Sequence, residues 1–216
     1  MPTLADRLYT PTEAAAVSGV GVKAVNNAID KRIIGAAHAR QDAAGKSVRR
    51  ALTGDDVLRL KLWHEIGGGI LSPARRERLF DAIRSQPAAR TVKADDLLII
   101  DVGEARKQIA DRARDLATAE AMVERKKGLM GGEPVFKGTR IPVRLVASML
   151  ADGASEEEIL EGYPALDRRQ LSLSRIWAAA HPRRGRPKSL KDRGLTPKSS
   201  RRVALKNGSS GARENG

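Results

Sequence analysis

Apolar positions recur at spacings of three and four in several short stretches of this chain, each bounded by capping or turn residues, which is the pattern of a helical protein with tight connections. Thr10 as N-cap, Pro11 at the first helical position and Glu13 three residues past the cap predict a helix that stops at Ser18-Gly19. Val20-Gly21 makes the turn, and Val22, Val25, Ala28 and Ile29 then share one face of a second helix over residues 22–30. Ile33-Ile34-Gly35, a turn through Gly45 and the segment 47–52 predict a β-hairpin, after which Thr53 and Asp56 cap a further helix. Ser72-Pro73 opens and Gln86-Pro87 closes an amphipathic helix carrying Leu79, Phe80 and Ile83. The nearly continuous apolar run over residues 97–102 suits a short buried strand. The charged helix after it, from Glu104 to about Glu124, has a thin stripe of Ile109, Ala113, Leu116 and Ala117 that fits a connector or a helix pairing across a homodimer.

The tightest local pattern lies further on. In Gly132-Glu133-Pro134-Val135-Phe136-Lys137-Gly138-Thr139-Arg140-Ile141-Pro142-Val143, a short extended segment at Val135-Phe136 runs into a turn at Gly138 that needs positive φ, and Pro142 marks a helix start. Gly138, Thr139 and Arg140 form a rigid elbow, with Arg140 either bracing it by pairing with a carboxylate or helix C-terminus, the preferred reading, or reaching DNA. Leu145, Val146, Met149 and Leu150 predict a first helix ending near Asp152-Gly153. Ser155 with Glu158 caps a second, and Asp167 with Gln170 caps a third whose apolar face is Leu171, Ser174, Ile176, Trp177 and Ala180. A short helix, a tight turn and a longer helix predict a helix-turn-helix, as does the N-terminal pair.

Composition narrows the class of partner. Lys and Arg number 40 against 26 Asp and Glu, a formal charge of +14, which draws the chain to phosphate backbones or acidic surfaces. Only 3% of its 216 residues are aromatic, so two small cores are expected and base-stacking RNA recognition is disfavoured. With no cysteine there is no disulfide, and the absence of a signal-like N-terminus or an apolar span predicts a cytoplasmic protein without membrane contact. His38, His64 and His181 are scattered without metal-ligand spacing, and Gly67-Gly68-Gly69 lacks the rest of a phosphate loop. Neither an enzyme nor a metal or other cofactor is expected.

The Gly-x-Pro-x-x-x-Gly-Thr-Arg-Ile-Pro-Val segment, with Asp152-Gly153, Glu157 to Leu160, Tyr163-Pro164 and Leu166, resembles the family catalogued as domain of unknown function 433 over residues 123–181. Members are similar to VapB-type antitoxins. The resemblance implies a type II toxin-antitoxin pair in which the chain neutralises a PIN-like, RNA-cleaving toxin and binds its own operator as double-stranded DNA to autorepress the operon. Residues 8–66 resemble the winged helix-turn-helix of MerR and excisionase proteins, including Leu-Thr-x-x-Asp-Val-Leu at residues 52–58. In such a domain the second helix enters the major groove, making Lys23, Asn26, Asn27 and Lys31 candidates for base reading and the wing residues Arg49 and Arg50 candidates for phosphate. From helix pattern alone Asn26 and Asn27 read as ordinary solvated residues, and the wing arginines turn the reading toward DNA. Arg168, Arg169 and Arg175 are the corresponding candidates in the C-terminal module.

From residue 183 onward eleven Lys or Arg face only Asp192 and Glu214, a net charge of +9 with almost nothing apolar, so a flexible tail is expected. Arg184-Gly185-Arg186-Pro187-Lys188 resembles an AT-hook core; Arg183, Arg184, Arg186 and Lys188 are candidates for the A·T minor groove, for the acidic cleft of a toxin, or for neither. The expected architecture is therefore mainly α, with a winged helix-turn-helix over residues 1–88, a connector strand and helix over 89–122, an antitoxin-like helix-turn-helix over 123–182 and a basic tail over 183–216. A free-standing DNA-binding regulator or architectural protein with no toxin partner is the other function class this pattern fits.

Overall fold

The computed structural model describes residues 7–35, 37–38, 50–66, 71–95, 98–126 and 128–183, and they are mainly helical. The chain divides into one compact unit, Met1–Pro182, and a second, Arg183–Gly216. In the first unit α1 (Pro11–Ser18) and α2 (Val22–Asp30) are followed by a short antiparallel pair, β1 (Ala37–His38) and β2 (Arg50–Ala51), and by α3 (Gly54–Ile66). Next come α4 (Pro73–Ser85), the antiparallel β3 (Thr91–Asp95) and β4 (Leu98–Asp101), and the long α5 (Gly103–Ala121). A third pair, β5 (Val123–Glu124) and β6 (Val135–Phe136), leads into α6 (Val143–Ala151), α7 (Glu156–Gly162) and α8 (Arg168–Ala180).

The helix starts follow local chemistry. Thr10 with Glu13, Ser155 with Glu158 and Asp167 with Gln170 form reciprocal capping boxes at α1, α7 and α8. Each satisfies two N–H groups that the first turn leaves without intrahelical partners. At α3 the same exchange runs between Thr53 and Asp56, whose backbone N–H groups donate to each other's side chains at 3.0 and 3.2 Å. Gly19 closes α1 at φ +77, and a Cβ there would run into the Arg112 guanidinium of α5. The left-handed φ is what favours glycine there, since the guanidinium is the far end of a flexible side chain and can move aside.

Two apolar clusters result. The first gathers Val17, Val25, Leu52, Leu60, Leu79 and Ile109 from α1 to α5; the second gathers Phe136, Val146, Ile159, Leu171 and Trp177. α8 belongs to both, because Ala180 is buried in the first cluster while Trp177 is buried in the second, and α8 packs on α1, α5 and α6.

Several expectations change here. The helix expected as a connector, α5, is a packing element: it buries Ala105, Ile109, Leu116 and Ala119 against α1, α3 and α8. Its alanines carry little hydropathy yet let helix backbones approach closely, which is why its stripe reads as thin. The strand expected to be buried is one half of a hairpin whose outer face meets solvent, leaving Ile99 60% exposed. Its partner, β3, was not expected; its alternating Val92 and Ala94 pack toward α4. Ile33 and Ile34 lie in the turn after α2 rather than in a strand, and the first hairpin strand begins at Ala37. Leu145 and Val22, expected on apolar faces, are exposed, and the buried α6 positions are Val143, Val146 and Leu150.

Candidate functional site

The polar side of α2 is the first candidate surface. Lys23 and Asn27 sit four residues apart on the exposed face, and Lys31 follows one turn later as the C-cap residue, while Val25 and Ala28 hold the opposite side in the core. Lys23, Asn27 and Lys31 make no side-chain hydrogen bond or ion pair with a described residue; Asn26 is half-buried at the edge of the stripe. Beside the helix end, Arg50 of β2 donates to Asp30 Oδ1 at 2.6 Å, so its charge is partly compensated. Arg49, and the rest of the turn between β1 and β2, lie outside the described residues, as do Arg184, Arg186 and Lys188; Arg183 is exposed.

The Gly-Thr-Arg elbow is the second. Gly138 takes φ +75, as its turn requires. Thr139 Oγ1 donates to the Phe136 carbonyl at 2.9 Å and accepts the Ile141 N–H at 3.1 Å, while the Phe136 N–H donates to the Ile141 carbonyl at 3.1 Å. The brace is therefore Thr139. Arg140 was expected to supply it, but it is exposed and makes no hydrogen bond or ion pair with a described residue. The bracing arginine is Arg144, the second residue of α6: it pairs with Glu133 at 3.2 Å, donates to the His181 carbonyl at 2.6 Å and lies 5.0 Å from the centre of the Trp177 ring. Sequence reasoning missed it because its partners lie 11, 33 and 37 residues away.

Beside the elbow is an open groove of about 540 Å³, lined by Glu124, Lys126, Gly128, Gly138, Thr139 and Arg140. Glu124 spans it: one carboxylate oxygen accepts the Gly138 N–H at 3.3 Å and the other meets Lys126 Nζ at 2.9 Å. The Lys126 hydrogen bond is the largest cause holding the Glu124 carboxyl below the usual range, and nearby Lys137 adds to it.

The α8 arginines divide. Arg168 pairs with Glu157 at 2.7 Å and Glu156 at 3.5 Å, and Arg175 donates to the Leu150 carbonyl at the end of α6 at 3.4 Å. Arg169 alone of the three makes no side-chain contact of this kind among the described residues.

A third cluster joins the ends of the unit. Glu120 Oε1 accepts from Arg7 at 2.9 Å and lies 3.2 Å from His181 Nε2, and Arg7 reaches Glu13 at 3.9 Å. Burial opposes ionisation of Glu120, but the hydrogen bonds from His181 and Arg7 and the Arg7 charge outweigh it and hold the carboxyl below its ordinary range. The ligating atoms of Glu13, Glu120 and His181 lie within 4.8 Å of one another, a donor set that would fit a divalent cation, but the Arg7 guanidinium already supplies positive charge there. Residues 13, 120 and 181 show no ligand spacing in the sequence, so only the fold brings them together.

Against this geometry, residues 123–174, from β5 through the elbow to the middle of α8, match the family described as Protein of unknown function (DUF433). Along almost its full length the chain is 33% identical to Uncharacterized protein y4eO of Sinorhizobium fredii, with 94% of this chain and 96% of that protein covered, and it belongs to that protein's family. No solved structure matches it. Among the described residues no helix is long and apolar enough to cross a membrane.

Proposed function

We propose that this chain is a DNA-binding antitoxin: α1 and α2 form a helix-turn-helix, with the β1–β2 hairpin as its wing, and α2 reads the major groove of the chain's own operator. The observation that carries the DNA half is the stripe of Lys23, Asn27 and Lys31, solvent-facing and uncommitted to any described residue, on a helix whose other face is fixed in the core. An Asn suited to adenine between two cations suited to phosphate is a reading surface rather than a packing one. The α7–α8 pair forms the second helix-turn-helix, where Arg169 is the arginine left open to a partner. The toxin half rests on the Gly-Thr-Arg-Ile-Pro-Val resemblance and the DUF433 match: the C-terminal module, with the basic residues after it, docks a PIN-like ribonuclease.

Two measurements test the halves separately. Selection from fragments of the native upstream region, followed by binding titrations, gives the operator; Asn27→Ala costs roughly 1–3 kcal/mol there and relaxes specificity at one position. Equal binding by the variant removes α2 as the reading helix. Purification of the tagged chain at mild salt brings down a small nuclease whose magnesium-dependent RNase activity appears after the complex is denatured and refolded. DNA alone, with no protein near stoichiometric yield, replaces the antitoxin with a free-standing regulator.

A further inference from the structure

The groove at the elbow is not absorbed by that reading. Two of its lining residues, Gly128 and Gly138, have positive φ, and a Cβ on either would meet nothing within 4 Å. Within it a backbone N–H and an ammonium group hold the two oxygens of one anion, the Glu124 carboxylate. A backbone N–H with a lysine is also the donor set that holds phosphate oxygens. Arg140 lines the same groove, and Lys137, two residues past β5's partner position at Val135, is close enough to act on Glu124. Both side chains are exposed and make no hydrogen bond or ion pair with a described residue.

We propose that this groove is a second nucleic-acid contact, which grips the phosphodiester backbone without regard to base sequence through Lys137, Arg140 and the Gly138 N–H, with Glu124 as the built-in anion that a phosphate displaces. The groove is open, as a continuous polyanion requires. Among the described residues Leu129 is the one apolar side chain lining it, so the described lining offers none of the buried apolar anchors that a protein partner needs. The overall charge of +14 favours the same occupant. This inference does not depend on α2 being the reading helix.

The test uses the full chain and a labelled random-sequence 20-base-pair duplex, titrated from about 50 to 200 mM salt. Replacing two phosphate-contacting cations lowers the slope of log affinity against log salt by about two units, so Lys137→Ala with Arg140→Ala should do so with unchanged circular dichroism. Glu124→Gln, which keeps the side-chain size and one acceptor oxygen and removes the competing charge, should raise affinity. Asn27→Ala serves as the control: it weakens the operator complex and leaves the random-sequence slope unchanged, so failure of the α2 reading and failure of this one are separate results. An unchanged slope in the double variant overturns the proposal. So does loss of poly-glutamate binding with DNA binding intact, which would make the groove a dock for an acidic protein segment.

Discussion

The cations of α2 and three arginines of α6 and α8, Arg144, Arg168 and Arg175, are alike in sequence but have opposite surroundings in the fold. Lys23 and Lys31 project from a helix whose neighbouring acid, Asp30, is already engaged by Arg50. Arg144, Arg168 and Arg175 each meet a carboxylate or a backbone carbonyl: Glu133 and His181, Glu156 and Glu157, and Leu150. The difference lies in the company each side chain keeps. The C-terminal module places three consecutive glutamates in the first turn of α7, favourable there for the helix dipole, and they capture a nearby arginine. A basic residue is available to a polyanion only where the fold offers it no internal acceptor, which residue type does not reveal.

The contrast between the two regions is sharpest at their cores. Trp63 of α3 packs at the edge of the first cluster and Trp177 lies in the second, so a Trp177→Phe background leaves Trp63 as the reporter of the first alone. In that background Leu171→Ala, in the second cluster, should cost about 2–5 kcal/mol. Because α8 serves both clusters, the urea midpoint reported by Trp63 should fall with it; a midpoint that stays put would mean that the two cores unfold independently. Next in size is the pair of arginines near the elbow. Arg144→Ala loses a partly buried ion pair, a carbonyl contact and a ring contact, roughly 2–3 kcal/mol in chemical denaturation, whereas Arg140→Ala stays within about 0.5 kcal/mol. Similar costs for both would erase the distinction between bracing and available arginines.

The smallest effect concerns the Arg7–Glu120–His181 cluster that ties α1, α5 and α8. Because the folded state lowers the Glu120 pKa from its ordinary 4.5, its contribution is complete above that value and is lost as pH falls through the folded pKa below it. Glu120→Gln should therefore cost about 1–2 kcal/mol at pH 7, with the gap to wild type closing in acid. A gap independent of pH would assign the loss to shape rather than charge.

Much of the local structure was legible in the sequence because it is decided within four residues. The Thr10, Ser155 and Asp167 caps, the Gly138 turn, the β6 strand and the start and end of α4 all follow from side chains that satisfy nearby backbone groups. What was not legible depends on distant partners. β3 becomes a strand because β4 returns beside it, α5 becomes central because α1, α3 and α8 close around its alanines, and Ile99 is exposed because no described residue covers the outer face of that hairpin. The candidate site divides the same way. The exposure of Lys23, Asn27 and Lys31 follows from helical spacing, but the partners of Arg144 lie 11 to 37 residues away, the Glu13–Glu120–His181 grouping joins residues up to 168 apart, and the roles of Arg168 and Arg175 turned on acceptors that spacing cannot locate.

The sharing of α8 between the two clusters also sets a timetable for synthesis. The N-terminal core, whose other members are made first, lacks Ala180 until that residue has cleared the ribosome, roughly 10 to 40 seconds after initiation at about 5–20 residues per second. During that interval α1 and α5 present the surface that α8 will cover. Closure of this unit therefore waits on α8, and a ribosome stalled before α8 would hold an incompletely closed chain exposed to chaperones and proteases.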